Sequence, residues 1–97
     1  MFHKVKSVIP KDDFFLHVEF EDGLQKKYDV KPLFDELPIF NILSSDDSLF
    51  NNVHVDVGGY GICWNDALDL SCDELYANGT IIKSLTDCTN ENIKMPT

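Results

Sequence analysis

Four carboxylates closely follow the single tryptophan and are the first residues whose spacing suggests chemistry. Asp66, Asp69, Asp73 and Glu74 come just after Trp64, and carboxylate oxygens are the ligands that Mg²⁺ and Ca²⁺ prefer. Paired carboxylates also serve as general acid and base in catalysis. However, the spacing of an EF-hand calcium loop is absent, and turn formation with helix capping explains the same residues. We prefer that explanation and assign no metal ligand, no cofactor and no catalytic residue from the sequence.

The histidines and cysteines are scattered along the chain and show no catalytic or metal-binding spacing. These residues are His3, His17, His54, Cys63, Cys72 and Cys88. No two histidines stand four residues apart, the spacing that places two metal ligands on one helix face. Three cysteines without a CxxC pair are typical of a reducing compartment. We predict that the cysteines pack in the fold and that the histidines face solvent from strands, although folding could bring the histidines together.

Two aromatic residues are candidates for contact with a partner. Tyr60 and Trp64 qualify because aromatic side chains dominate the energetics of interfaces. The alternative is packing in the core, which is usual for large aromatic side chains. The candidates for partner binding are therefore these two aromatic residues and the four carboxylates: Tyr60, Trp64, Asp66, Asp69, Asp73 and Glu74.

The net charge is concentrated in the middle of the chain and limits the classes of partner. The chain has 97 residues and a formal net charge of −9. Residues 1–31, the balanced part, carry six lysines and six acids, whereas residues 32–79, the acidic part, carry nine acids and no lysine or arginine. Binding to nucleic acid or to an anionic membrane requires basic residues, so we expect neither. A basic protein partner is favoured electrostatically, and self-association is the other possibility.

The elements that must position these residues follow from the alternation of apolar side chains. Residues 2–9, 14–20 and 24–30 predict three strands. Asp22-Gly23 marks a tight turn between the second strand and the third, because glycine accepts the positive φ that such a turn needs. The first third of the chain therefore predicts a three-stranded antiparallel meander.

The remainder of the chain predicts short helices and a second hairpin. The predicted elements are a helical stretch over 32–37, a helical turn over 46–50, a hairpin over 53–64 that turns at Gly58-Gly59, and a helix over 72–78. Ser71 and Glu74 match a capping box at the start of the last helix, and Gly79 is predicted to end it in a left-handed conformation. Ile39, Phe40, Ile42 and Leu43 form an apolar cluster whose conformation the pattern does not define.

These elements together predict one small α+β domain. About five short strands form an antiparallel sheet that a few helices cover. We expect the domain over residues 1–79 and a C-terminal tail over 80–97, partly docked or frayed. No stretch reaches the roughly 18 to 20 apolar residues that cross a bilayer, and the first residues are typical of a strand and not of a signal peptide. A cytoplasmic location is the expectation.

Several short motifs, in a fixed order along the chain, carry a resemblance to a known family. They lie at residues 14–23, 28–33, 49–50, 53–56, 59–64 and 69–76. In these motifs the chain resembles the uncharacterised bacterial family called domain of unknown function 2442, over about residues 2–79. Many members carry Pro and Gly after the tryptophan, where this chain has Asn65 and Ala67. The resemblance implies a small α+β domain without established catalytic residues, and some members are discussed as parts of toxin–antitoxin-like pairs.

Two hypotheses about function follow. The first is a non-enzymatic protein-interaction or regulatory module, for example an antitoxin-like partner of a small neighbouring protein, because complementary charge speeds encounter with a basic partner. The second is a domain that binds a divalent cation or a small ligand, or an enzyme, centred on Asp66, Asp69 and Asp73. We prefer the first hypothesis because the sequence contains no catalytic constellation.

Overall fold

The structure, a computed structural model, describes residues 3–83. In chain order the elements are β1 (Val5–Lys11), a 3₁₀ turn (Asp12–Phe14), β2 (Phe15–Phe20), β3 (Gln25–Asp29), α1 (Lys31–Glu36), a 3₁₀ helix (Pro38–Ser44), α2 (Asp47–Phe50), β4 (His54–Val55), a second 3₁₀ turn (Val57–Gly59), β5 (Gly61–Asn65), β6 (Leu68–Ser71), α3 (Cys72–Asn78) and β7 (Thr80–Lys83). One sheet has the strand order β1-β2-β3-β7, and a second has the order β4-β5-β6. Among residues 3–83, none of the helices is long and apolar enough to cross a membrane.

The first sheet begins with the predicted meander. β1 pairs antiparallel with β2, and β2 pairs antiparallel with β3. In β2, buried Leu16, Val18 and Phe20 alternate with half-buried residues of the opposite face, as the two-residue repeat of a strand requires. Gly23 has a φ of 94° in the turn between β2 and β3. The meander and its glycine turn are therefore confirmed.

The predicted hairpin at Gly58-Gly59 is also confirmed. Gly58 and Gly59 have φ values of 81° and 79°, which glycine adopts without the steric cost that a Cβ brings. In the paired strands His54 faces Cys63, and the next pair carries the apolar residues of the inner face. A Cβ on Gly59 would lie 2.8 Å from the backbone oxygen of Val5. The turn therefore packs closely against β1.

Two strands of the structure are not predicted by the sequence pattern. β6 alternates buried Leu68 and Leu70 with exposed neighbours for only four residues, and β7 adds four residues to the edge of β3. The α+β class is confirmed, with seven strands in two sheets over residues 3–83 where the sequence predicts about five in one. Residues 84–97 lie outside the described residues, and their assignment to a tail stays a prediction.

The three α-helices confirm the predicted helical stretches, and two of them begin with a side-chain cap. The side chain of Asp46 accepts a backbone hydrogen bond at the start of α2, and that of Ser71 does so at the start of α3. The left-handed conformation predicted for Gly79 is wrong, because the chain runs directly from α3 into β7 with φ −75° and ψ 157°. Glycine is required there for space, since a Cβ would lie 2.7 Å from the backbone oxygen of Leu75.

One cluster of buried apolar residues spans both sheets, and Trp64 connects it to the helices of the acidic part. Its indole N–H donates to the backbone oxygen of Phe50 at 3.1 Å. Its ring meets that of Phe40 edge-on, with 5.8 Å between centroids. Phe40 and Leu43, three residues apart in the 3₁₀ helix, are both buried, as the three-residue repeat of that helix requires. Trp64 therefore joins α2 and the 3₁₀ helix to the second sheet.

Candidate functional site

The structure separates the partner-binding candidates that the sequence singles out. Trp64 is 1% exposed, so the alternative of core packing describes it and any role in a contact is indirect. Tyr60 is 49% exposed and follows the glycine turn. Asp66 lies in the turn between β5 and β6, Asp69 lies in β6, and Asp73 lies in the first turn of α3, all exposed. The carboxylates therefore occupy three different elements.

Glu74 links the acidic part to the first sheet. Its Oε2 accepts a hydrogen bond of 2.8 Å from the hydroxyl of Tyr28 on β3. Burial raises the pKa of Tyr28 well above its ordinary value, and the hydrogen bond to Glu74 and the charge of that carboxylate raise it further. Both residues line a cleft of about 410 Å³ between β3, α1 and α3. Because the phenol stays protonated, it serves there as a hydrogen-bond donor and not as a base.

The carboxylates of the second hypothesis do not form a cation site within residues 3–83. In that part of the chain no group of three or more His, Cys, Asp or Glu side chains is placed to hold a metal ion. Asp66, Asp69 and Asp73 lie in a turn, in a strand and in the first turn of a helix. The turn of Asp66 and the helix start of Asp73 are positions that aspartate favours, whereas a strand position such as that of Asp69 is not.

The three histidines have different partners and do not share a site. His17 on β2 lies with its Nε2 2.8 Å from Oε1 of Gln25. His3 stacks on the ring of Tyr76, with 3.5 Å between centroids. His54 belongs to the second sheet, and its partners are Cys63 on β5 and the backbone oxygen of Asn52, in the turn before β4. Folding therefore does not bring the histidines together as metal ligands.

One pair of potential chemical interest forms in the second sheet, between Cys63 and His54. The two residues face each other across β4 and β5, and Asp69 on β6 continues the same row. Sγ of Cys63 lies 3.1 Å from Nε2 of His54, and Nδ1 of His54 lies 2.9 Å from the backbone oxygen of Asn52. Covalent catalysis uses the same order of groups, in which a nucleophile contacts a base and a third group orients the base. Here Cys63, His54 and the Asn52 carbonyl occupy these three places.

The surroundings of this pair oppose nucleophilic chemistry. Burial raises the pKa of the Cys63 thiol, and the carboxylates of Asp56, Asp69 and Asp66 raise it further. Only the thiolate is a strong nucleophile, so the protonated thiol is the form to expect near neutral pH. The thiol then donates to Nε2 of His54, and Nδ1–H donates to the backbone carbonyl. The pair is thus part of a short hydrogen-bonded chain on the outer face of the second sheet.

The register of the hairpin contains the signal that could have identified this pair. Residues at equal distances from a two-residue turn face each other in a hairpin. Gly58 comes four residues after His54, and Cys63 comes four residues after Gly59. Once the turn is placed, the pairing follows from the sequence, whereas the raised pKa of the thiol follows only from the fold around it.

The two parts of the chain differ in how their charges are paired. The ion pairs among the described residues join Lys6 to Glu19, and Lys31 to both Asp13 and Asp29, all within the balanced part. None of the nine carboxylates of the acidic part forms an ion pair with a side chain that the structure describes. Eight of the nine are exposed and one is half-buried. The acidic part therefore presents uncompensated negative charge to solvent.

Comparison with known proteins gives one match. A family model described as "Protein of unknown function (DUF2442)" matches residues 5–80, from the first residue of β1 to the first residue of β7. No curated protein and no solved structure matches the chain. The description of the family states no activity, ligand or partner.

Proposed function

The chain belongs to the DUF2442 family, and we propose that it is a non-enzymatic interaction module that binds a basic protein partner through its acidic part. One observation carries this proposal. Residues 32–79 contain nine acids and no lysine or arginine, and none of these acids is ion-paired with a described side chain. Charge of one sign that is not used within the fold is available to a partner of the opposite sign.

The physical advantage of such a surface lies in association. Like charges held close together on one surface repel each other, and a lysine-rich or arginine-rich partner relieves that repulsion. Complementary charge also raises the association rate and disfavours acidic competitors. A second copy of this chain brings the same negative charge, so self-association is the less favoured alternative.

The non-enzymatic half of the proposal is supported by two polar pairs, Cys63–His54 and Tyr28–Glu74. In each of them burial and neighbouring carboxylates raise the pKa of the proton donor. Thiol and phenol therefore keep their protons near neutral pH, and neither group is then a nucleophile or a base. We therefore interpret both pairs as hydrogen bonds that stabilise the fold.

An antitoxin-like role is a finer form of the same proposal. In this form the partner is a small basic protein encoded beside this chain, and the acidic part covers a basic surface that the partner needs for its own activity. This form depends on the family resemblance, and a shared fold does not by itself supply a shared function.

Co-purification tests the proposal. The tagged chain is expressed together with its adjacent reading frames, captured at low salt and then washed at high salt, and the eluted proteins are identified by mass spectrometry. We expect a basic protein that is retained at low salt and released at high salt, because salt screens exposed charge.

Matched double variants locate the contact. Each removes two exposed acids and so changes the net charge equally. The variants are Asp35→Asn/Asp47→Asn and Asp66→Asn/Asp73→Asn in the acidic part and, as the control, Asp12→Asn/Glu21→Gln in the balanced part. We expect at least one acidic-part variant to retain less partner, and the control to retain as much as the wild type. The proposal is wrong if the retained protein is acidic, if salt does not release it, if all three variants lose it equally, or if nothing is retained.

A further inference from the structure

The 3₁₀ helix Pro38–Ser44 has one buried apolar row and one exposed apolar row. Phe40 and Leu43 are 4% and 0% exposed, whereas Ile39 and Ile42 are 56% and 50% exposed. Residues three apart in a 3₁₀ helix lie above one another, about 6 Å apart along the axis. The two isoleucines therefore form a continuous apolar row that faces solvent, and this row is not needed to complete the core.

Acidic residues flank this apolar row in the sequence at both ends. Asp35 and Glu36 precede it, and Asp46 and Asp47 follow it. All four are exposed, and Leu37, which precedes the 3₁₀ helix, is 46% exposed. We call the exposed surface of residues 35–47 the acidic ridge. It combines apolar anchors with carboxylates and contains no lysine or arginine.

We propose that the acidic ridge binds a basic amphipathic helix of a partner protein. This inference rests on the proposed function and names the surface and the chemistry of the partner. Residues four apart in an α-helix are about 6 Å apart along its axis, which matches the spacing of Ile39 and Ile42. Helical ligands use apolar anchors at such spacings. Lysine or arginine beside the anchors would meet the acidic residues at either end of the ridge.

The composition of the ridge favours this occupant over the alternatives. A second copy of the chain would bring the same carboxylates against it, and an anionic membrane or a nucleic acid would be repelled. A purely apolar helix would bury or approach carboxylates without compensating them. A helix with both apolar anchors and basic residues satisfies both features of the ridge.

Titration of the whole ¹⁵N-labelled chain with synthetic helical peptides tests this inference by NMR. The first probe is a peptide of lysine, alanine and leucine with leucines at i, i+4, i+7 and i+11. The second probe has serine in place of leucine, and the third keeps the leucines and has glutamate in place of lysine. We expect the first probe to bind most tightly and to shift the amide signals of residues 35–47 more than those of the second sheet.

Two matched isoleucine variants provide the control. Ile42 is 50% exposed on the ridge, and Ile9 is 48% exposed on β1 in the balanced part. Ile42→Ser should weaken binding of the first probe about fivefold, because half of an isoleucine side chain loses its apolar contact. Ile9→Ser should leave the dissociation constant unchanged within about twofold, the difference that a surface substitution away from a contact produces.

The outcomes separate this inference from the proposed function. If the serine probe binds as tightly as the leucine probe, or if the largest shifts fall on β4, β5 and β6, the ridge is not the binding surface, while binding of a basic partner stands. If Ile9→Ser and Ile42→Ser weaken binding of the first probe equally, the ridge is also rejected as the binding surface. If neither lysine-containing probe binds, the ridge and the basic partner are both rejected.

Discussion

The balanced part and the acidic part share one core but use their charges in opposite ways. In the balanced part Lys31 lies 3.3 Å from a carboxylate oxygen of Asp13 and 3.0 Å from one of Asp29. The acidic part contains no lysine or arginine. Some of its carboxylates cap helices or accept hydrogen bonds, and the others face solvent. The balanced part thus pairs several of its charges within the fold, whereas the acidic part is held by apolar packing and caps.

A lysine of the balanced part also stabilises a helix of the acidic part where the two parts meet. Lys26 is 8% exposed, and its ammonium donates to the backbone oxygen of Tyr76 near the end of α3. The last turn of α3 contains no basic residue of its own, and a cation stabilises the carbonyl end of a helix. With the bond from Tyr28 to Glu74, this contact ties the two parts together. Three lysines, Lys6, Lys26 and Lys31, are thus used within the fold, and the net surplus of charge is anionic.

Trp64→Ala should have the largest effect, because the acidic part depends on packing and not on ion pairs. The substitution removes the ring that contacts Phe40 and the N–H that donates to Phe50. We expect the free energy of unfolding, measured by urea titration, to fall by about 3–5 kcal/mol. Trp64→Phe, which keeps most of the apolar contact and loses the donor, should cost about 1–3 kcal/mol.

An exposed aromatic of the same hairpin is the control for this measurement. Tyr60 is 49% exposed, and Tyr60→Ala should cost about 1 kcal/mol or less. If Trp64→Ala costs no more than Tyr60→Ala, the acidic part is not organised around its core, and the contrast between the two parts is wrong.

Tyr28→Phe tests the bond that joins the two parts and should have the next largest effect. It leaves the half-buried Glu74 carboxylate without its donor, and we expect a loss of about 1–2 kcal/mol at pH 7. Because burial, the hydrogen bond and nearby carboxylates raise the pKa of Tyr28 in the folded chain, its contribution is complete below about pH 10, the ordinary pKa of tyrosine. It is lost as the pH rises above that value, since the unfolded chain then releases the proton first.

The measurement for this prediction is urea unfolding from pH 7 to 11, with wild type and variant compared at each pH. The stability advantage of the wild type should shrink as the pH rises above 10, the ordinary tyrosine pKa. Glu74→Gln keeps an acceptor and removes the charge, so it should give a smaller dependence on pH. A difference between wild type and Tyr28→Phe that is constant across this range would show that the phenol is not held in its protonated form.

The meander and the glycine hairpin could be predicted because their signals are local. The alternation of Leu16, Val18 and Phe20 and the positive φ of Gly23 depend on residues next to each other in sequence. β6 and β7 are four residues each, too short for a periodic signal, and pairing with β5 and β3 stabilises them. Only the neighbours, which the sequence does not place, decide that these segments are strands.

The surface of the acidic part shows a second limit to what can be predicted from the sequence. The charge imbalance is visible in the sequence itself, whereas the exposed isoleucines are not. In an α-helix Ile39, Phe40, Ile42 and Leu43 would all lie on one apolar face, but the three-residue repeat of the 3₁₀ helix separates two buried residues from two exposed ones. The type of helix, which tertiary packing selects, therefore decides what the surface presents.

Removing charged side chains should change the free energy of unfolding in opposite directions in the two parts. These changes should be smaller than those of Trp64→Ala and Tyr28→Phe. Asp35→Asn/Glu36→Gln removes two exposed carboxylates at the carbonyl end of α1, where negative charge is unfavourable. At low salt the free energy of unfolding should rise by about 0.5–1 kcal/mol. The gain should disappear near 1 M salt, where the Debye length is about 3 Å.

The matching change in the balanced part is Lys6→Gln. It removes the exposed ion pair with Glu19, 3.9 Å long, and should lower the free energy of unfolding by about 0.5 kcal/mol or less. Urea titrations at low and high salt measure both variants. If the acidic-part variant is destabilised at low salt, its carboxylates are compensated within the fold and are not surplus charge.

The smallest expected effect concerns Cys63 and decides whether the acidic part contains a nucleophile. Because burial and the carboxylates of Asp56, Asp69 and Asp66 raise the pKa of the thiol, iodoacetamide at pH 7.5 should alkylate it at least about threefold more slowly than free cysteine. Asp69→Asn should speed the reaction about twofold. Asp47→Asn, whose carboxylate is not among the groups that act on this thiol, should leave the rate unchanged.

This alkylation is measured by mass spectrometry in a Cys88→Ser background, since Cys72 is 2% exposed and protected. A rate above that of free cysteine would mean that Cys63 and His54 form a thiolate–imidazolium pair despite the surrounding carboxylates. The acidic part would then hold an activated nucleophile beside a base that the Asn52 carbonyl orients, and a non-enzymatic function would be untenable. A slow rate that Asp69→Asn increases would instead show that the negative charge of the acidic part keeps the thiol neutral, as a non-enzymatic function requires.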